Sequence, residues 1–260
     1  MSAPAAFIGV VLIWATTPLA IKWSSESAGF LFGVTSRMVL GVFICLALVA
    51  LMSRRVRWHR KALHTYLAAG LGIWGAMSCV YWASQFIPSG LISVLFGLTP
   101  IVTALLAALW LGERALTPGR LLGIALGIGG LALIFGQSLA LGGSALLGVG
   151  GVCASVLIHA ASAVWVKRIR ARLHPLETTT GALLIAVPLF LLSWALLDAE
   201  IPSGITPRSA WSILYLACFG SALGFILYYD VLHRVEASRV ALITLITPVL
   251  ALFLGQIAND

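Results

Sequence analysis

The sequence predicts an all-α polytopic membrane protein built from two inverted five-helix repeats, and three observations carry that reading. Of its 260 residues, 61% are hydrophobic and 9% charged, against about 25% charged in a soluble domain. So little polar surface does not cover a water-soluble globule. Long apolar runs recur along the chain, each close to the ~20 residues that a spanning helix needs. Two of these runs carry nearly the same segment at their centres, Leu98-Thr99-Pro100-Ile101-Val102 and Ile246-Thr247-Pro248-Val249-Leu250, 148 residues apart.

Nine runs qualify as spans: 3–22, 30–52, 64–85, 89–111, 118–136, 145–166, 176–197, 209–231 and 237–258. The first lacks a basic n-region and continues to about Ile21, so it reads as a transmembrane helix and not as a signal peptide. The loops on one side hold thirteen Lys and Arg, among them Arg54, Arg55, Arg57, Lys167, Arg168, Arg234 and Arg239, and those on the other only Lys22 and Arg208. Basic residues concentrate on the cytoplasmic side, which places the N-terminus in the cytoplasm. The net charge of +8 is therefore a topology signal and not a nucleic-acid footprint. Cys45, Cys79, Cys153 and Cys218 all fall inside runs and read as buried thiols. Trp23, Trp58 and Trp211 stand at span ends as interface anchors.

The repeat extends beyond the prolines. A shift of 148 overlays Tyr81 on Tyr229, and a shift of 145 overlays Trp14 on His159, Thr17 on Ser162 and Lys22 on Lys167. The unit is five helices, and an odd number of spans inverts the second copy. The copies are expected at 1–137 and 142–260. On this register Asn259-Asp260 overlays Leu111-Gly112, so nine helices of a ten-helix architecture are present and the tenth is missing. The expectation is a chain shortened by roughly 25 residues, about one span with its loop.

Proline inside a helix removes a donor and crowds the preceding turn. Pro100 and Pro248 should therefore kink their helices and release the carbonyls of Phe96 and Thr244 at mid-membrane, facing each other across a polar cavity. Proline-interrupted segments at matching positions of two halves are the best sequence pointer to a transporter's binding site. Residues spaced three and four apart on the same faces complete the cavity set: Trp14 and Thr17; Trp74, Ser78 and Tyr81; Ser93, Thr99 and Thr103; His159 and Ser162; Ser221 and Tyr229; Thr244 and Thr247. Each Ser and Thr can instead bond its own helix's carbonyls. The four aromatic residues of this set suit a ligand with an apolar or planar part.

His159 can relay a proton or bind substrate, or rest neutral on Ser155 or Ser162. Arg37, about two turns inside the second run, either attracts a substrate carboxylate or snorkels to headgroups. Asp230 is a gating candidate expected to pair with Arg234, four residues on. No acidic residue sits at mid-span, which disfavours a sodium site or a carboxylate proton relay. Gly119, Gly123 and Gly127 form a small-residue stripe for helix packing.

These features together resemble the EamA family of the drug/metabolite transporter superfamily. The residues that carry the resemblance are the paired Leu98-Thr99-Pro100-Ile101 and Ile246-Thr247-Pro248-Val249 segments, the two five-helix repeats, and Leu111-Gly112-Glu113-Arg114 closing the fourth run. The resemblance covers essentially the whole chain. It implies a ten-helix carrier of the bacterial inner membrane that works by alternating access and exports amino acids or related small metabolites. It also implies a cavity lined by helices one, three, four, six, eight and nine. The missing tenth helix is the departure from the pattern.

Gly70-Leu71-Gly72-Ile73-Trp74-Gly75 matches a dinucleotide fingerprint but follows no strand and lies within a span, so it is dismissed. No Gly-x-Ser-x-Gly or His-Glu-x-x-His occurs, and Tyr229-Asp230 lacks the second intramembrane aspartate of a protease. The expected partners are a small-molecule substrate and the bilayer, with no cofactor, metal or nucleic acid, and with a monomer favoured. An enzyme is a poor reading. A non-transporting membrane subunit, or a carrier that imports or exchanges another small molecule, stays open.

Overall fold

The computed structural model describes residues 2–112 and 143–250, with the single positions 119, 122, 123, 126 and 129 between them. The described residues are helical and contain no strand. Helices α1 (Ala3–Ser25), α2 (Phe30–Leu51) and α3 (Arg60–Ala83) are followed by a span in two pieces, α4 (Ser89–Phe96) and α5 (Thr99–Leu111). Then come α6 (Gly143–Ile169), α7 (Pro175–Leu197), α8 (Pro207–Arg234) and the shorter α9 (Ala237–Leu250). Seven of these spans, counting Ser89–Leu111 as one, are long and apolar enough to cross a membrane. The chain is therefore a multi-pass membrane protein. Most of the fifth run (118–136), the end of the ninth beyond Leu250, Glu113, Arg114 and the Gly127 member of the glycine stripe lie outside the described residues.

Among the described residues, the two halves of the chain pack on each other more than within themselves. α3 lies against α6 and α7, α2 against α7, α1 against α8, and α5 against α6. Close approach depends on the glycines of the false nucleotide fingerprint. A Cβ on Gly70 would stand 2.7 Å from the Ala182 carbonyl of α7, and one on Gly72 would overlap Ser162 of α6. The motif is a packing face, the use that small residues have between membrane helices.

The Thr-Pro segment of the fourth run does more than kink its helix. α4 ends at Phe96, Gly97 and Leu98 turn, and Pro100 falls in the first turn of α5. Gly97, Leu98 and Ile101 donate to Val94, Leu95 and Leu98, three residues back and not four. Ending the helix at Phe96 relieves the clash a proline makes with the carbonyl four residues earlier, and Pro100 then occupies a position whose N–H needs no partner. In α9 the interruption is displaced: the helix breaks at Ala241-Leu242, ahead of Pro248, and Leu242, Thr244 and Leu245 again bond three residues back. Leu111 closes α5, and Gly112 takes the left-handed conformation (φ 67°) that favours glycine after a helix.

One end of the bundle is fastened by charge. Arg57, in the loop between α2 and α3, grips Glu177 in the first turn of α7 through its Nε (2.9 Å), Nη2 (2.9 Å) and backbone N–H (2.8 Å). Tyr66 of α3 donates to Glu177 (3.2 Å) and to the Arg57 carbonyl (2.9 Å). Lys167, at the end of α6, donates to the Leu232 carbonyl (2.7 Å) and to that of Val235, satisfying the C-terminus of α8. The expected pair is present too, with Arg234 Nη2 2.8 Å from Asp230. The four cysteines are free thiols.

Candidate functional site

Trp14, Thr17 and Ile21 of α1 form one wall of a cavity of about 70 Å³ at the centre of the bundle. Arg37 of α2, Ser93 and Phe96 of α4, His159 of α6, Phe225 of α8 and Thr244 and Thr247 of α9 also line it, with Pro18, Met77, Val80, Ile92 and Gly220. Prolines account for part of this placement. Trp14, Phe96 and Thr244 each stand four residues before a proline (Pro18, Pro100 and Pro248). At each of them the usual amide donor to the carbonyl is missing. Pro18 is the member of this set that the Thr-Pro comparison overlooked; its signal is a proline inside the first apolar run.

Neither Pro100 nor Pro248 lines the cavity; the residues one turn before them do. The prolines therefore do not face each other across it, because each acts on the preceding turn.

Arg37 is the principal charge of the site. It is 1% exposed, so it does not snorkel. Its Nε donates to Ser221 Oγ at 2.9 Å and its Nη1 to Tyr81 Oη at 3.3 Å, and its Cζ lies 5.8 Å from the Tyr81 ring centre. Ser24 Oγ, 3.5 Å away, donates to the same Tyr81 hydroxyl. Among the described residues no carboxylate pairs with Arg37. Room for it comes from an irregularity in α8. Residues Leu216–Leu223 form a π-helical segment, a feature frequent at functional sites. That segment offers Gly220, where an added Cβ would stand 3.0 Å from Arg37 Nη2, and then Ser221.

A cluster of rings closes the α1–α6–α8 side. Trp14 meets His159 edge-on at 5.8 Å and Phe225 at 6.4 Å, and stacks on Tyr228 at 5.1 Å. His159 is 5.3 Å from Tyr228, and Tyr229 abuts Tyr228 at 5.3 Å. Ser155 and Ser162 do not serve His159. Their hydroxyls donate to the Ala76 and Ala68 carbonyls of α3 (2.8 and 2.9 Å) and bind α6 to it.

The remaining sequence-derived residues divide by environment. Thr17, Ser93 and Thr244 donate to their own helices at Ile13, Ser89 and Ala241. Trp74 donates to Ser193 of α7 at 3.0 Å, away from the cavity wall. Ser78, Thr99 and Thr103 carry buried hydroxyls with no hydrogen-bond partner among the described residues. Asp230 is held by Arg234 near the charged end. The periodicity of α8 gave no warning of its π segment, because a one-residue widening of a helix leaves an apolar run looking uninterrupted.

A second hollow of about 510 Å³ opens between α1, α4 and α8 at the end away from Arg57. Pro18 and Ser93 belong to both walls. Trp23, Trp211 and Arg208 stand in this groove, Arg208 lying 5.8 Å over the Trp23 ring and 3.5 Å from Glu26.

Comparison with known proteins places this arrangement. The chain is 25% identical over 253 residues to the uncharacterized transporter YoaV of Bacillus subtilis, covering 95% of this chain and 85% of that protein. It is 30% identical over 250 residues to a probable terminal-alkyne amino-acid exporter of Streptantibioticus cattleyicolor, covering 94% and 81%. A solved crystal structure shares the fold, with a TM-score of 0.77 at 20% identity over 99% of this chain and 88% of the other. The sequence profile of the EamA-like transporter family matches twice, at residues 1–136 and 146–258. A multi-pass helical chain with an arginine-bearing cavity between its helices, matched by that profile over nearly its whole length, belongs to the EamA-like transporter family.

Proposed function

We propose that the protein is a secondary carrier that exports a small carboxylate-bearing metabolite, an amino acid or a close relative, by alternating access. The observation that carries this reading is Arg37: a buried guanidinium on the wall of a central cavity, held by two neutral hydroxyls and paired with no acid among the described residues. A buried cation is costly without a counter-charge, and a substrate carboxylate would supply one. The guanidinium suits it, since its planar fork matches a carboxylate. The exporter relative from Streptantibioticus cattleyicolor, by its name, handles an amino acid, which accords with this chemistry.

The halves on which alternating access relies are two five-helix repeats of inverted topology, 1–137 and 142–260. The paired profile matches and the common lining role of Phe96 and Thr244 support that division. In this reading the charged end carrying Arg57 and Glu177 faces the cytoplasm, following the distribution of basic residues, and the membrane is a bacterial inner membrane. The substrate meets the members of the sequence-derived set that line the cavity, with Arg37 reading charge, the Trp14–His159–Phe225 surface meeting the rest of the substrate, and the interruptions near Pro100 and Pro248 serving as hinges.

Flux into proteoliposomes tests the reading. Saturable, competable uptake of at least one amino acid is expected, and Arg37→Gln should raise its KM about 10–100-fold. No saturable flux across the amino acids and their simple carboxylate analogues would favour a non-transporting membrane subunit. Pro100→Ala with Pro248→Ala should slow flux without abolishing binding; unchanged flux would remove the hinges from the mechanism.

A further inference from the structure

The central cavity is small for a whole substrate. At about 70 Å³ it matches the space of a few waters, each of ~30 Å³, whereas pockets that enclose organic ligands have roughly 300–1,000 Å³. The adjoining groove, on the same scale, has about 510 Å³. Its walls are largely apolar, with Ala15, Leu19, Ala20 and Trp23 on α1. Several polar groups there are already engaged: Thr16 and Tyr215 bond each other at 2.6 Å, and Ser93 bonds Ser89. Such a surface offers solvation to hydrocarbon and little to polar groups. The two hollows are neighbours, with Pro18 and Ser93 forming part of both walls.

We infer that the substrate is a carboxylate with an extended, unbranched apolar chain, its head against Arg37 in the central cavity and its chain running past Pro18 and Ser93 along the groove towards Trp23 and Trp211. This rests on the reading of Arg37 as the carboxylate site. The chain length is the discriminating variable, because each methylene buried in the groove should tighten binding roughly three- to fourfold, while the contact with Arg37 is common to all members.

The experiment is isothermal titration of the full chain in lipid nanodiscs with unbranched 2-amino acids from alanine to 2-aminooctanoate. Affinity should rise with each added methylene over at least four steps. Leu19→Trp and, separately, Ser89→Phe, which fill the groove from two helices, should flatten the series. Arg37→Gln should lower every member by a common factor of about 10–100, the worth of a charged hydrogen bond. A flat wild-type series, or one that peaks at the shortest members, overturns the chain-in-groove assignment; if Arg37→Gln still weakens those members, the carboxylate reading stands. Binding that is indifferent to Arg37→Gln, or absent throughout, overturns both.

Discussion

Arg37 of α2 and Ser221 of α8 are 184 residues apart in sequence, and the Arg37 Nε–H meets the Ser221 hydroxyl at 2.9 Å. The bond joins the only described span with a buried arginine to a π-helical turn of α8. It fixes the direction in which the rest of the guanidinium points. Ser221 in turn donates to Met38 Sδ at 3.6 Å, so its lone pair is left to accept from Arg37.

Substitution of Arg37 should therefore separate charge from geometry. Arg37→Lys keeps the charge but loses the fork and its two anchored donors. Substrate affinity is expected to fall about 10-fold for Lys and about 100-fold for Gln, measured by titration or by KM for flux. Melting temperature in nanodiscs should not fall comparably for Arg37→Met, because a buried charge without an acid partner contributes little stability.

Gly220 should be as sensitive as the arginine it admits. A methyl group there would stand 3.0 Å from Arg37 Nη2 and 3.3 Å from Leu216. The guanidinium can shift a few tenths of an ångström for alanine, but valine needs more. Gly220→Val is expected to weaken substrate binding tenfold or more, with Gly220→Ala intermediate. Equal affinity in all three proteins would show that Arg37 does not need its observed place.

The fastening at the charged end predicts an asymmetry. Glu177 has a side chain 6% exposed whereas that of Arg57 is 52% exposed. Removing Arg57 strands a buried carboxylate; removing the charge of Glu177 leaves an arginine that water can reach. Arg57→Gln should therefore lower the melting temperature more than Glu177→Gln. The double variant should recover part of the loss, as a thermal-unfolding cycle would reveal.

His174 gives the stability a pH dependence. It precedes α7 and its Nδ1 accepts from the Leu176 N–H at 3.3 Å, which only the neutral ring can do. Burial, and then the nearby Arg54 charge, hold its pKa below the ordinary 6.5, against smaller opposing pulls from Asp230 and Glu177. The folded state thus binds its proton less readily than the unfolded chain. The contribution is complete above about pH 6.5 and is lost as pH falls through the lowered folded value. His174→Asn, which caps without titrating, should flatten the fall in melting temperature between pH 7 and 5. An unchanged slope would assign that fall to other groups.

How much of this was legible in the chain differs from residue to residue. Periodicity and proline placement name Trp14, Thr17, Ser93, Thr244, Thr247 and His159, a charge inside an apolar run names Arg37, and all line the cavity. Periodicity also named Ser162 and Trp74, which turn instead to α3 and α7 neighbours. A polar helix face serves a cavity and a helix–helix bond equally well, and only the neighbour decides which. Pro18 was visible but lacked a repeat partner, so comparison of halves passed over it.

The sequence by itself determined that the chain spans a membrane, where most of the spans begin and end, and that Leu98–Val102 interrupts one of them; the break expected at Ile246–Leu250 falls instead at Ala241-Leu242. Those outcomes follow from local quantities: hydrocarbon length, the proline ring and the missing amide donor. Tertiary structure decided the rest. It turned the centre of the fourth run into a break, widened α8 at Leu216–Leu223, and set Ser221 and Tyr81 on either side of Arg37. Whether a buried arginine snorkels or faces inward depends on which hydroxyls other helices bring to it, and that is settled only when the helices pack.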